Sequence, residues 1–250
     1  MDFTAVKFET AGVDTASACA VGIVVVEKGF IVERLFRFIR PKELNFDPLQ
    51  VKLHGISEDL VIDEPEFDVI WPEISGYFDG RTVVAHFASY DYSVLNNVLE
   101  QYNLKQPSFS LYCTYSIAKK CWPGLASYTL DSLSFHLGFK FKDHDPLQDA
   151  LTSSEIAVRA CVENGAGDLS QLAAKIEFRH TPLMSGAEFE LLRHLTNKKN
   201  LSVLQNDSKH PFFKRRVEIA GNIEPLSRQE ALRHAVNCGR MYVEKLSEHT

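Results

Sequence analysis

Three β-rich runs joined by short turns occupy the first forty residues, and this feature constrains the fold of the chain most. Apolar and polar residues partly alternate over residues 3–10, and two further runs follow at residues 19–26 and 30–40. Turn residues at 12–14 and 27–29 separate the runs at the spacing of β-hairpins. The pattern predicts an antiparallel three-stranded meander at the start of the chain.

After the meander, the pattern changes to an alternation of strands and helices. Short β-branched runs are followed by segments whose apolar residues recur at helical spacing. We predict strands at residues 81–86 and 108–113, helices at residues 69–78, 90–101, 114–121, 130–137 and 150–161, and an irregular polar stretch at residues 41–67. This order indicates an α/β fold in which helices flank a mixed sheet.

The end of the chain differs in composition from the rest. Residues 176–211 mix polar and charged residues with brief apolar clusters, which is typical of a linker or helical connector. Residues 212–250 show a strand, a helix and a strand, which predicts a small C-terminal α/β appendage. The main domain is therefore expected to cover residues 1–175.

Composition and charge limit the classes of function. A hydrophobic fraction of 45% is ordinary for a globular protein that buries a sizeable core. No leader peptide and no run of about 18 apolar residues is visible, so we expect a soluble, cytoplasmic protein with no membrane partner. The five cysteines include no C-x-x-C pair, which favours simple thiols over a zinc site. The net charge of −6 opposes non-specific binding along many phosphates of a nucleic acid but permits binding at the end of a strand.

Three segments that lie far apart in the sequence carry the candidate chemistry. They are Lys7-Phe8-Glu9-Thr10 on the first predicted strand, Val84 to Asp91 at a strand-to-helix junction, and His144 to Ala150. In order and spacing they resemble the DnaQ-like DEDDh 3′–5′ exonucleases, whose pattern is Asp-x-Glu, an Asp after a Val-Ala-His segment, and His-x-x-x-x-Asp. The segment Leu53 to Ser57 is similar to the link between meander and first helix in that family. The resemblance covers residues 1–175 and implies an RNase H-like fold, a mixed five-stranded sheet flanked by helices.

The resemblance also implies roles for individual residues. Glu9 and Asp149 would help to bind a first divalent metal ion, and Asp91 would support a second ion through water. His144 would take the proton from the attacking water. Mg²⁺ or Mn²⁺ is the expected cofactor, because hard cations prefer oxygen ligands.

The implied substrates are the 3′ ends of single-stranded DNA or RNA. Thr10 and Ala11 follow the first motif, where related enzymes hold the terminal nucleotide, so both are candidate substrate contacts. No residue in the sequence can be assigned to recognition of the 2′-hydroxyl, so the sequence does not distinguish a DNA substrate from an RNA substrate.

Each of these site residues also has an ordinary structural interpretation. Glu9 is a possible partner of Lys7. Asp91 fits the N-cap of a helix, and Asp149 fits a first-turn acid favoured by the helix dipole. His144 fits an ordinary loop histidine. The coincidence of all three segments favours the functional interpretation.

Several residues near the motifs are predicted to act structurally. Asp145 followed by Pro146 predicts a capped helix that starts here and presents Asp149 on its first turn. His54 and His86 are predicted to be structural hydrogen-bonding residues and not metal ligands.

Two positions depart from the family pattern. Lys7 stands where the family has a metal-bridging Asp, and Phe87 stands where it usually has Asn. Under one interpretation Lys7 abolishes metal binding; under the other its ammonium pairs with Glu9 or Asp149 and a weak one-metal activity remains. The sequence thus predicts a strongly impaired exonuclease, accessory to DNA repair or replication. The alternatives are an inactive nucleic-acid-binding or scaffold protein and an RNA-trimming enzyme.

The C-terminal segment resembles the first half of a BRCT domain. The resemblance rests on Gly221, the helix start at Ser227 and the pair Cys238-Gly239. A half-domain leaves a sheet edge and apolar surface uncovered. We therefore expect either a truncated domain or a segment that packs on the main domain, on a partner protein or on a second copy of the chain.

Overall fold

The computed structural model describes residues 1–139, 145–178, 216–217 and 241–242. The chain divides into two units, Met1–Gly186 and Ala187–Thr250. Every helix and the five-stranded sheet described below belong to the first unit.

The sheet of the first unit is mixed. Its strands are β1 (Phe3–Thr10), β2 (Ala18–Glu27), β3 (Phe30–Phe38), β4 (Thr82–Ala85) and β5 (Ser110–Cys113). They lie in the order β3-β2-β1-β4-β5. The first three strands pair antiparallel, and β4 and β5 extend the sheet from β1 in parallel. The predicted meander and the mixed five-stranded sheet are therefore confirmed.

Helices cover both faces of this sheet. They are α1 (Pro48–His54), α2 (Glu58–Val61), α3 (Phe67–Ile74), α4 (Ala88–Gln101), α5 (Thr114–Cys121), α6 (Leu130–Leu137), α7 (Pro146–Glu163) and α8 (Leu169–Lys175), with a short 3₁₀ turn at Ser75–Tyr77. The five predicted helices correspond to α3 through α7, which confirms the helical pattern.

The prediction of an irregular stretch at residues 41–67 is wrong, because α1 and α2 lie within it. α1 begins where Asp47 accepts a hydrogen bond from the Leu49 N–H, 2.8 Å away. It ends at Gly55, whose φ of 76° is left-handed. These helices have only seven and four residues, which is too short for an apolar period to show.

The two faces of β1 carry different cores. Val6 and Phe8 pack in the apolar cluster that includes residues of α3 and α4. Phe3 and Ala5 point to the other face, in a cluster with residues of α5 and α7. Side chains alternate along a strand, so Lys7 shares the α7 side with Ala5. A buried strand thus presents a charged residue under a helix.

The described part of the second unit consists of two short strands. β6 (Arg216–Val217) and β7 (Met241–Tyr242) pair in parallel and overlap the strands predicted at residues 217–220 and 241–243. The connector from residue 179 onward and most of the BRCT-like segment lie outside the described residues, so both stay predictions. Among the helices that the structure describes, none combines the length and the apolar character needed to cross a bilayer.

Candidate active site

An ion pair lies in the middle of the sheet, on the side of β1 that faces α7. The Lys7 Nζ is 2.8 Å from the Glu9 Oε1, and the two side chains are only 18% and 8% exposed. The same ammonium donates a hydrogen bond to the Phe8 carbonyl oxygen at 2.8 Å. A mostly buried pair of this kind is strongly coupled, because removing either partner leaves a charge with little access to water.

Asp91 lies on the first turn of α4 and is buried. Its Oδ1 accepts a hydrogen bond from the Phe8 N–H, 2.7 Å away. Phe87 occupies the N-cap position, so the interpretation of Asp91 as a helix cap is wrong. Burial raises the pKa of Asp91 to about 7, although the Lys7 ammonium and the Phe8 N–H both favour the ionised form.

Asp149 lies on the first turn of α7 and is also buried. The predicted helix start is confirmed: the Asp145 carboxylate caps the helix by accepting hydrogen bonds from the N–H groups of Leu147 and Gln148, at 3.0 and 3.3 Å. Pro146 follows the cap, as expected for the first helical position. The cap fixes where α7 begins and therefore where Asp149 points.

Gly22 of β2 lets α7 come close to the sheet. This glycine is the ladder partner of Lys7. A Cβ at Gly22 would lie 2.3 Å from the Pro146 carbonyl oxygen, which is too close for any side chain. The start of α7 therefore crosses the sheet beside Lys7. Sequence reasoning missed Gly22; a lone glycine inside a β-branched run is the signal that marks such a close approach.

The carboxylates on three separate elements act on one ammonium. Burial by itself lowers the pKa of Lys7, but the charges of Glu9, Asp91 and Asp149 outweigh it and raise that pKa above its usual range. The geometry agrees: Glu9 contacts Lys7 directly, Asp91 is hydrogen-bonded to the N–H of the next residue, and the start of α7 that carries Asp149 packs on Gly22, the ladder partner of Lys7. The structure thus brings together four of the predicted site residues.

Thr10 and Ala11 are both buried. The Thr10 hydroxyl lies 2.8 Å from the Gly12 carbonyl oxygen and 2.8 Å from the Tyr90 hydroxyl. The Tyr90 ring in turn lies under Lys7, whose Nζ is 5.7 Å from the ring centroid. Contact of Thr10 or Ala11 with a nucleotide stays a prediction. Tyr90 was not among the predicted residues, because only the fold brings it to β1.

Two histidines near the site make hydrogen bonds, as predicted. The His54 Nε2 lies 3.2 Å from the Thr10 carbonyl oxygen, and the His86 Nε2 lies 2.9 Å from the Tyr128 carbonyl oxygen. Burial lowers the pKa of His86 to about 4, so its ring is neutral at physiological pH. His144, the predicted proton acceptor, lies outside the described residues.

The mixed five-stranded sheet and its flanking helices define an RNase H-like α/β domain. Exonuclease X in complex with 5′ overhanging duplex DNA has the same fold, with a TM-score of 0.58 and 23% identity over 70% of this chain and 99% of that chain. The nuclease domain of 3′hExo, a DEDDh family member bound to rAMP, gives a TM-score of 0.57 and 15% identity over 73% of this chain and 96% of that one. The family model RNase T, described as Exonuclease, matches residues 7–157. The chain belongs to this exonuclease family.

Curated relatives are similar at the level of sequence. DNA polymerase III subunit epsilon of Aquifex aeolicus is 29% identical over 178 residues, which cover 68% of this chain and 87% of the relative. DNA polymerase III PolC-type of Thermotoga petrophila is 25% identical over 84% of this chain. The chain spans only 16% of the length of that second relative.

The described site does not fit the metal centre expected of the family. Exonucleases of this kind typically use divalent metal ions. Among the described residues, no group of three or more acidic, histidine or cysteine side chains is arranged to hold a metal ion. The Lys7 ammonium instead contacts Glu9 and carries a charge that repels a cation. The described site therefore differs from the family's metal centre at position 7, where Lys7 replaces a metal-binding Asp.

Proposed function

We propose that this domain binds the 3′ end of single-stranded DNA or RNA at the site around Lys7, and that its 3′–5′ exonuclease activity is strongly impaired. Support for the reaction class comes from the family and from relatives such as the 3′-5′ exonuclease DinG of Bacillus subtilis, 27% identical over 54% of this chain. The proposed impairment rests on the 2.8 Å contact between the Lys7 Nζ and the Glu9 Oε1.

The impairment follows from charge. A carboxylate at position 7 would add a negative charge where the family binds cations, whereas Lys7 adds a positive one next to Glu9. Metal ions supply several kcal/mol of transition-state stabilisation in phosphodiester cleavage, so their loss is expected to slow the reaction by roughly 10²- to 10⁴-fold. Glu9 and Asp149 are the residues that would otherwise serve as ligands.

A second candidate is a non-catalytic nucleic-acid-binding or scaffold protein with the same fold. The Lys7–Glu9 pair favours it, because the carboxylate already has a hydrogen-bonded cation supplied by the chain. The pair therefore offers a way to keep the fold and its buried acids without a metal ion.

The context that we propose is DNA replication or repair. The curated relatives include DNA polymerase III subunit epsilon of Aquifex aeolicus and a PolC-type polymerase of Thermotoga petrophila. RNA stays in the proposal as well, because a solved neighbour concerns 3′-end specific recognition of a histone mRNA stem-loop, at a TM-score of 0.56.

The test is to restore a carboxylate with Lys7→Asp. Wild type and variant are incubated with Mn²⁺ and 5′-labelled single-stranded DNA or RNA, and the ladder of shortened products is measured over time. We expect the variant to trim from the 3′ end roughly 10²-fold faster or more, because a metal ligand replaces a repelling charge.

Two further variants make this experiment decisive. Lys105→Asp changes the net charge equally at an exposed position and is expected to leave the rate at the wild-type level. Adding Asp149→Asn to Lys7→Asp is expected to remove the gained activity. Equal trimming by wild type and Lys7→Asp would reject the impairment, and no activity in any variant would reject the exonuclease proposal.

A further inference from the structure

Phe87 combines three features that each cost stability. Its backbone is left-handed, with φ 58° and ψ 46°, a conformation that bulky residues rarely adopt. It occupies the N-cap of α4 but makes no side-chain capping hydrogen bond. The residue is 41% exposed although its side chain is large and apolar. Strained residues of this kind tend to occur at functional sites, and this one lies four residues before Asp91.

The Phe87 ring belongs to an aromatic cluster with a cation on it. It stacks on the Tyr115 ring at a centroid distance of 4.4 Å and an interplanar angle of 29°. The Lys119 Nζ lies 5.4 Å from the centroid of the Tyr115 ring. Lys119 and the neighbouring Lys120 are exposed on α5. The cluster therefore combines a partly exposed aromatic residue with positive charge, in a protein whose net charge is −6.

The start of α4 contributes aromatic residues both to this cluster and to the candidate active site. Phe87 directly precedes α4, and Tyr90 lies on the first turn of that helix. Tyr90 is also exposed, and its ring lies under Lys7. Exposed aromatic side chains are thus present both beside the Lys7 ammonium and in the cluster around Tyr115.

We propose that Phe87 and Tyr115 form a stacking site for an unpaired nucleobase, with Lys119 available to an adjacent phosphate. The inference rests on the proposed binding of single-stranded ends and names how the strand is held there. Every base has a π face, so stacking on aromatic side chains is tolerant of sequence. One such contact strengthens binding roughly tenfold.

The test measures binding and base stacking separately, in EDTA so that no strand is cut. Short single strands carry 2-aminopurine at one of the last four 3′ positions, because stacking quenches its fluorescence. Phe87→Asn is the main variant, since Asn tolerates a left-handed backbone and caps helices. Tyr115→Leu keeps apolar bulk without the aromatic ring. Phe30→Asn removes a 74% exposed ring at the opposite end of the sheet from Glu9, and is the matched control.

We expect Phe87→Asn and Tyr115→Leu to bind roughly tenfold more weakly and to lose the quenching at one position, whereas Phe30→Asn matches wild type. An abasic site at that position should weaken the binding of the strand by wild type but not by Phe87→Asn. A thermal unfolding midpoint of Phe87→Asn at or above that of wild type shows that the variant is folded. If wild type binds the strand and Phe87→Asn binds and quenches equally, the stacking site is refuted and the proposed function stands. If wild type binds no single strand, the proposed function itself fails.

Discussion

At the scale of the residue, Asp91 is where burial and charge compete most directly. Asp91 is only 2% exposed, its carboxylate accepts a hydrogen bond from the Phe8 N–H, and the positive charge of Lys7 acts on it. Burial prevails and raises the pKa of Asp91 to about 7. The charge of the site therefore changes close to neutral pH, because the Asp91 carboxyl that contacts β1 gains or loses its proton there.

This pKa gives a signed prediction for stability. Well below pH 4, Asp91 is protonated in both the folded and the unfolded chain. As the pH rises from about 4 to about 7, the unfolded chain loses the proton and the folded chain retains it, so Asp91 makes the folded state progressively less stable. Lys7 adds nothing in this window, because it is charged in both states. The Asp91→Asn variant should lack this fall in the free energy of unfolding.

The measurement is urea unfolding of wild type and Asp91→Asn at half-unit steps from pH 4.5 to pH 8. The difference in unfolding free energy between them is expected to grow in favour of the variant as the pH rises to about 7 and then to level off. Asp63→Asn, at an exposed turn, is the control and should show a flat difference. A flat difference for Asp91→Asn as well would show that the folded carboxyl has an ordinary pKa.

The residues of the site were predictable to different degrees. Glu9, Asp91 and Asp149 come from motifs in which one short segment fixes both the residue and its element, and the structure places all three around Lys7. Their functional roles stay predictions. Tyr90 was not predicted, because its contact with Lys7 depends on how α4 packs against β1, and no local pattern encodes that packing.

At the scale of the element, the contact between β2 and α7 decides how the site is assembled. Gly22 has no room for a side chain, since a Cβ would lie 2.3 Å from backbone atoms of Pro146. Backbone cannot rotate away as a flexible side chain can. Gly22→Ala must therefore displace the start of α7, and with it Asp149.

We expect Gly22→Ala to lower the free energy of unfolding by about 2 kcal/mol or more, as overpacking against backbone does. Gly76→Ala is the matched control, because a Cβ at Gly76 meets nothing within 4 Å, and it should change stability by about 0.5 kcal/mol or less. Thermal or urea unfolding measures both. A Gly22→Ala variant as stable as wild type would mean that α7 does not pack this closely on β2.

Elements were predictable where their pattern was long enough. The meander, β4 and the helices α3 to α7 show periods that extend over several residues, and the structure confirms them. α1, α2 and α8 have seven, four and seven residues, and their starts depend on single capping side chains or on tertiary packing. The capping signal of Asp47 before Pro48 is present in the sequence, but no apolar repeat follows it, so the signal alone did not predict a helix.

At the scale of the whole molecule, net charge limits how nucleic acid can be held. A chain with a formal charge of −6 gains little from lying along many phosphates, because each contact needs a nearby cation. Attraction is then confined to local features such as the exposed Lys119 and Lys120 beside the aromatic cluster. Binding of a strand end is consistent with such local attraction, since a terminus needs only a few contacts.

Binding should therefore depend on the presence of an end and not on strand length. We expect linear single strands of about 10 and about 30 nucleotides to compete equally per molecule for the protein, and a circular single strand to compete at least tenfold more weakly. With one to three phosphate contacts, the logarithm of the affinity should fall with the logarithm of salt concentration at a slope of about −1 to −2, because single strands release about 0.7 ions per contact. Competition anisotropy with a labelled short strand measures both quantities. A circular strand that competes as well as the linear ones, or a slope several times steeper, would mean that the protein coats nucleic acid through a basic surface, which its charge of −6 argues against.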